Sequence, residues 1–258
     1  MKIEQEPVQR EPETVSQRGI YLLPNLLTTL ALFAGFYSIV AAMKGHFDEA
    51  AIGIFVAMIA DGLDGRVARL TNTQSAFGAQ YDSLSDMAAF GIAPALVVFS
   101  WSLVYMGKLG WLAAFLYAAA TALRLARFNI QQGTSDKRYF QGLPCPSAAG
   151  LIASIVWMGW NYQVDGATIA APVAVLTIIV ASLMVSTIRY SSFKSVDFKG
   201  RVPFFTVVIA VFIIAAIALE PPEMLFILFM GYIISGPVLT LWYLRRMRKL
   251  GKQKSGKK

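Results

Sequence analysis

Cysteine and histidine are almost missing from this chain: Cys145 and His46 stand alone. No internal disulfide can form, and neither a cysteine-based zinc site nor a His-rich metal site can be assembled. Charge is scarce as well. Asp, Glu, Lys and Arg make up 15% of the 258 residues, against 56% hydrophobic. Mean hydropathy is +0.56. This composition excludes an ordinary soluble globule and points to helices that cross a bilayer. The stretch from Met1 to Ile20 mixes Glu, Pro, Lys and Arg with almost no apolar run. It is expected to be a solvated tail, neither a signal nor a transit peptide. The net charge of +8 by itself suits a nucleic-acid partner. Its distribution argues for a membrane surface, so no nucleic acid is expected.

What the chain has in abundance is apolar sequence. About eight segments approach the length of a membrane-crossing helix. They run over residues 22–43, 48–70, 77–105, 110–129, 146–162, 167–188, 203–219 and 224–244. The expected fold is therefore all-α, a polytopic transmembrane helical bundle. One membrane domain over residues 21–244 would lie between a flexible tail, 1–20, and a basic tail, 245–258. All Lys and Arg except Lys44 and Lys108 fall in the tails and in alternate connections. The positive-inside rule then places both termini in the cytoplasm. The expected location is a multi-pass cell-membrane protein whose functional site faces the cytoplasm.

Against this oily background stand Asp61, Asp64, Asp82 and Asp86. One charge at bilayer depth costs roughly 2.5–3.5 kcal/mol, and four would cost on the order of 10 kcal/mol if uncompensated. Asp61 and Asp64 are spaced i, i+3, and Asp82 and Asp86 are spaced i, i+4, so each pair shares a helix face. The link Thr71–Ser75 is turn-like. In an antiparallel hairpin centred near Thr73, Asp61 faces Asp86 and Asp64 faces Asp82. Oxygen ligands of this kind suit hard divalent cations. Two such ions can clamp the attacking and leaving oxygens of a displacement at phosphorus. Gly65 and Gly78 lie near the acidic faces, where a missing side chain lets a ligand approach the backbone. Arg69 is placed to fork onto a phosphate.

The pattern D-G-x-x-A-R-x8-G-x3-D-x3-D, with a further Asp three residues ahead, stands complete as Asp61, Asp64-Gly65, Ala68-Arg69, Gly78, Asp82 and Asp86. It resembles the signature of the CDP-alcohol phosphotransferase family. That resemblance implies transfer of a substituted phosphate from a CDP-linked donor to an alcohol, with release of CMP. It implies two divalent cations, Mg2+ or Mn2+, on the four aspartates, with Asp86 also the general base on the acceptor hydroxyl. Asp64, Gly65, Arg69 and Gly78 would hold the CDP part, with Asn25 and Thr28 of P24-N-L-L-T28 as further candidates. Relatives tend to be homodimers. The stretches R124-L-A-R-F-N129, G142-L-P-C-P-S147 and R189-Y-S-S-F-K194 look like the phosphatidylserine synthase branch. The expected donor is then CDP-diacylglycerol and the expected acceptor L-serine. A carboxylate-bearing acceptor wants cations, and Arg124, Arg127 and Lys194 are the candidates, with Asn129 and Ser191 for hydrogen bonds.

Plainer readings stand beside these. Arg124, Arg127 and Lys194 also serve as topology determinants. Asn25 and Thr28 also fit helix capping or interhelical hydrogen bonding. The tryptophans fit an interfacial belt. Cys145 reads as a loop thiol without a role, and His46 as an inert residue on the outer side. Glycerol phosphate or inositol phosphate would attract the same cations as serine. An intramembrane prenyltransferase also binds a diphosphate through Mg2+ and aspartates, but Ala60 before Asp61 and Gly65 after Asp64 depart from its usual pattern. An acid-dependent transporter would need acids nearer the membrane centre.

Overall fold

Small side chains decide how this bundle closes. The computed structural model describes residues 15–131, 139–191 and 204–255. Nine α-helices occur among the described residues: α1 (Val15–Met43), α2 (Phe47–Leu70), α3 (Ala76–Asp86), α4 (Ala93–Trp101), α5 (Lys108–Gln131), α6 (Cys145–Asn161), α7 (Ala170–Val185), α8 (Phe204–Leu219) and α9 (Pro221–Ser255). Helix α1 thus starts, and α9 continues, inside the stretches expected as tails.

Helices α1 and α2 form an antiparallel pair. Gly45, at φ +81, makes the left-handed turn between them, and the His46 amide closes it on the Ala41 carbonyl at 3.0 Å. Their interface is a stripe of buried Ala31, Ala34, Ala41 and Ala42 against Ala50, Ala51, Ala57 and Ala60. A Cβ added at Gly53 would lie 3.0 Å from the Ala34 carbonyl oxygen. Small residues of this kind let membrane helices approach closely and gain van der Waals contact where apolar burial against lipid gives little.

The expected turn between the acid-bearing helices is present: α2 ends at Leu70 and α3 begins at Ala76. Ser75 caps α3, its Oγ accepting the Gly78 amide at 2.9 Å. Helices α3 and α4 are one rod with a single wide π turn, Met87–Ile92, between them. The main neighbours of α3 are α1 and the π turn, whereas α2 packs chiefly on α1 and α6. The acids therefore meet around α1, and not through the tight α2–α3 hairpin that the spacing suggested.

Four helical stretches among the described residues are long and apolar enough to cross a membrane: Leu22–Met43, Ala76–Trp101, Lys108–Ile130 and Pro221–Trp242. Ala170–Val185 is apolar but shorter. Helix α2 has 24 residues but carries the acids and arginines of the motif.

One element departs from the all-α expectation. β1 (Tyr139–Gln141) pairs antiparallel with β2 (Arg189–Ser191), Phe140 opposite Tyr190. Each strand has only 3 residues, too few for a period-2 pattern to show in the sequence. Buried Tyr190 anchors the ribbon on α9. Its hydroxyl donates to the Ile233 carbonyl at 3.2 Å, and its ring lies 5.6 Å from that of Tyr232.

One close backbone approach of α1 to the π turn gives a stability test. A Cβ on Gly35 would sit 2.7 Å from Ala89 Cα, whereas one on Gly231 would meet nothing within 4 Å. Gly35→Ala is expected to destabilise the bundle by about 1–3 kcal/mol. Gly231→Ala should be neutral or raise the melting temperature. Thermal melts in detergent compare the two.

Candidate active site

The site grows from three helices. Asp61 and Asp64 come from α2, Asp82 from α3, and α1 supplies the side chains that run between them. Each of Asp61, Asp64 and Asp82 offers one carboxylate oxygen, and the three oxygens lie within 4.8 Å of one another. Asp86, one helical turn beyond Asp82, stands beside this trio. Asp61, Asp82 and Asp64 all lie within its electrostatic reach. Arg124 of α5 is a cation within the same reach. So much like charge in a partly dry place needs a counter-charge. The donor set is oxygen alone and several carboxylates converge, which fits a hard divalent cation.

Two clusters flank the acids. On one side, Arg69 folds back so that its Nη1 would lie 3.4 Å from a Cβ at Gly65. At the start of α3, Asn25 Oδ1 would lie 3.4 Å from a Cβ at Gly78. The bare backbone of each glycine thus has one polar side chain from the expected nucleotide set beside it. Thr28 is placed differently: its hydroxyl donates to Asp64 Oδ2 at 2.7 Å, and both residues are buried.

The expected acceptor residues separate. Arg124 is partly buried; its Nη1 donates to Cys145 Sγ at 3.2 Å, and its Nε is buried without a hydrogen-bond partner. Arg127 points elsewhere, its Nη2 donating to Gln141 Oε1 at 2.5 Å in an exposed setting. The Asn129 carboxamide pairs with the Ser83 hydroxyl, Nδ2 to Oγ 3.0 Å, and so clips α5 to α3. Ser191 is placed by its backbone alone, opposite Tyr139. Lys194 lies outside the described residues.

Three residues escaped the sequence reading. Cys145, taken for an idle loop thiol, is fully buried at the start of α6 against Arg124. Ser83 and Ser85 fill the gap between Asp82 and Asp86; Ser85 Oγ donates to the Thr28 carbonyl at 3.0 Å. Their place inside the motif was the available signal. His46 sits apart from the acids, 3.5 Å from Glu49.

A family model described as CDP-alcohol phosphatidyltransferase matches residues 21–180, which includes every acid and both flanking clusters. The chain belongs to this family. It is 39% identical over 225 residues to the CDP-diacylglycerol–serine O-phosphatidyltransferase of Helicobacter pylori (strain ATCC 700392 / 26695), covering 86% of this chain and 92% of that protein. The protein of the same name from Mycobacterium tuberculosis (strain H37Rv) is 40% identical over 162 residues, 58% of this chain and 56% of its own. The archaetidylserine synthase of Methanothermobacter thermautotrophicus is 36% identical over 170 residues, 65% of this chain and 69% of that protein. Family membership together with the four long apolar helices makes this a membrane protein.

Convergent carboxylates repel until a cation joins them. Saturating Mn2+ is therefore expected to raise the melting temperature of the purified protein, by an amount equivalent to about 2.7 kcal/mol at a hundredfold excess over the dissociation constant. A chelator should reverse the shift, and Asp64→Asn or Asp82→Asn should largely remove it. A wild-type melt indifferent to Mn2+ and chelator would rule out the ion.

Proposed function

We propose that this enzyme transfers the phosphatidyl group of CDP-diacylglycerol to L-serine, giving phosphatidylserine and CMP. The observation that carries the reading is the convergence of Asp61, Asp64 and Asp82 on one point, inside the motif of a family whose relatives bear that activity in their names.

The chemistry balances simply. The serine hydroxyl oxygen attacks the phosphorus attached to diacylglycerol. A new P–O bond forms, the bridging P–O bond to CMP breaks, and CMP leaves with the electron pair. Asp86 takes the hydroxyl proton. Two divalent cations, Mg2+ or Mn2+, held by Asp61, Asp64, Asp82 and Asp86 would neutralise the diphosphate and stabilise the leaving oxygen. The protein's own groups do the rest. Gly65 and Gly78 leave room for the CDP moiety against the backbone, and Arg69, Asn25 and Asp64 hold it. Arg124 receives the serine carboxylate beside Asp86, and its unpaired Nε leaves it a spare donor. Asn129, Arg127, Ser191 and Lys194 complete the acceptor side. The apolar surroundings keep bulk water from competing with serine.

The same reading places about eight spans across the cell membrane, with residues 21–244 as one membrane domain. Both tails, 1–20 and 245–258, would lie in the cytoplasm, where serine is available. The acyl chains of the donor would enter sideways from the bilayer. Two copies of the chain would form a homodimer.

Release of CMP from CDP-diacylglycerol, compared across serine, glycerol phosphate, inositol and inositol phosphate, tests the acceptor. Serine alone should support turnover; preference for another alcohol would overturn that assignment. Asp86→Asn is expected to abolish turnover while donor binding persists, and near-normal turnover would remove Asp86 as the base. Arg124→Ala should raise the serine KM at least tenfold and leave the donor KM nearly unchanged, as expected for loss of a charged hydrogen bond.

A further inference from the structure

The family match ends at residue 180, yet a helix beyond it reaches the acceptor side of the site. Helix α9 turns one stripe inward: Phe229, Tyr232, Ile233 and Gly236, spaced i, i+3, i+4 and i+7. Phe229, Ile233 and Gly236 are buried, and half-buried Tyr232 is the one polar member. Phe229 packs on Gly150 of α6, where an added Cβ would lie 2.5 Å from its ring. Gly236 packs on the Tyr190 ring of β2, which leaves no room for a Cβ. Tyr232 lies between these two contacts on its helix. Along the chain, Cys145 likewise lies between the ribbon at Tyr139–Gln141 and Gly150, and it holds Arg124. Arg124 is accordingly within electrostatic reach of Tyr232. Tyr190 braces the Tyr232 ring from behind, with the ring centres 5.6 Å apart, and is itself pinned by its hydroxyl to the Ile233 carbonyl.

We propose that Tyr232 is a specificity-determining residue for the acceptor alcohol, its ring the wall that limits how large a molecule fits beside Arg124. The inference rests on the proposed transfer to serine. With its carboxylate on Arg124 and its hydroxyl toward Asp86, serine spans a short, fixed distance. An aromatic side chain has few rotatable bonds, and one braced by a fully buried neighbour keeps its place. Such a wall turns away an alcohol that carries more carbon between carboxylate and hydroxyl. Contacts of this kind discriminate a single methylene by about 10–200-fold. Glycerol phosphate and inositol phosphate, which the same cation would attract, are larger still.

The test measures CMP release from CDP-diacylglycerol by the full-length protein in detergent, with serine and with homoserine, which is one methylene longer. Wild type should favour serine by about tenfold or more in kcat/KM. Tyr232→Ala should lower that preference about tenfold, with the donor KM within about twofold of wild type. Tyr232→Phe keeps the ring and should keep the preference within about threefold. An unchanged preference in Tyr232→Ala overturns the inference, whatever happens to the overall rate. So does a Tyr232→Phe change as large as that of Tyr232→Ala, which would assign the selection to the hydroxyl and not to the ring. Should Tyr232→Ala fail to fold, Tyr232→Leu decides on the same ratio: it stays apolar against the core and shortens the wall, so an unchanged preference there also overturns the inference. Wild-type protein that releases no CMP with serine would instead sink the acceptor assignment, and this inference with it, a distinct result.

Discussion

Like charges gathered where water is scarce are the constraint around which this protein is built. Asp61, Asp64 and Asp82 each bring a carboxylate oxygen within 4.8 Å of the others, and Asp86 adds a further negative neighbour. Packing acid-bearing helices directly against each other would place these charges at van der Waals distance with no donor between them. The fold instead sets α1 alongside both. The alanine and glycine stripe between α1 and α2 is what allows so short a side chain as threonine to reach a carboxylate on the next helix. Close backbone approach and the electrostatics of the site are one problem with one solution.

Around the acids, positive charge is rationed by direction. Of the two arginines in R124-L-A-R, Arg124 turns inward to Cys145, and Arg127 turns outward to Gln141. They are spaced i, i+3, yet only one lies beside the acid proposed as base. Arg69 lies beside Gly65 and Asn25 beside Gly78, the residues proposed to hold the nucleotide, while Arg124 lies against Cys145 and the Ser83–Asn129 clip ties α3 to α5.

The helix spacing made much of this readable in advance. Asp61, Asp64 and Asp82 come together as the offsets from a turn near Thr73 suggested, although around α1 and not by direct α2–α3 packing, and the capped start of α3 falls where the turn residues placed it. Other features left no periodic trace. That the Thr28 hydroxyl donates to Asp64 depends on a rotamer and on the approach of α1, neither of which a one-dimensional pattern encodes. Cys145 looked idle because its partner lies 21 residues earlier on another helix. The ribbon joining Tyr139–Gln141 to Arg189–Ser191 brings together residues about fifty positions apart, held by Tyr190 against α9. Long-range pairing of segments this short rests on tertiary packing and not on local preference.

The wide turn at Met87–Ile92 sits directly after Asp86, where the Ala93 amide reaches back to the Ala88 carbonyl. One additional residue in a helical turn rotates everything beyond it by roughly 100°. The inner and outer halves of this rod therefore keep separate bearings. Pro94 and Val98 pack into the bundle while Leu96 is exposed, on bearings that Asp82 and Asp86 do not share. The wide turn thus lets one continuous rod aim its acids and its oily side chains independently.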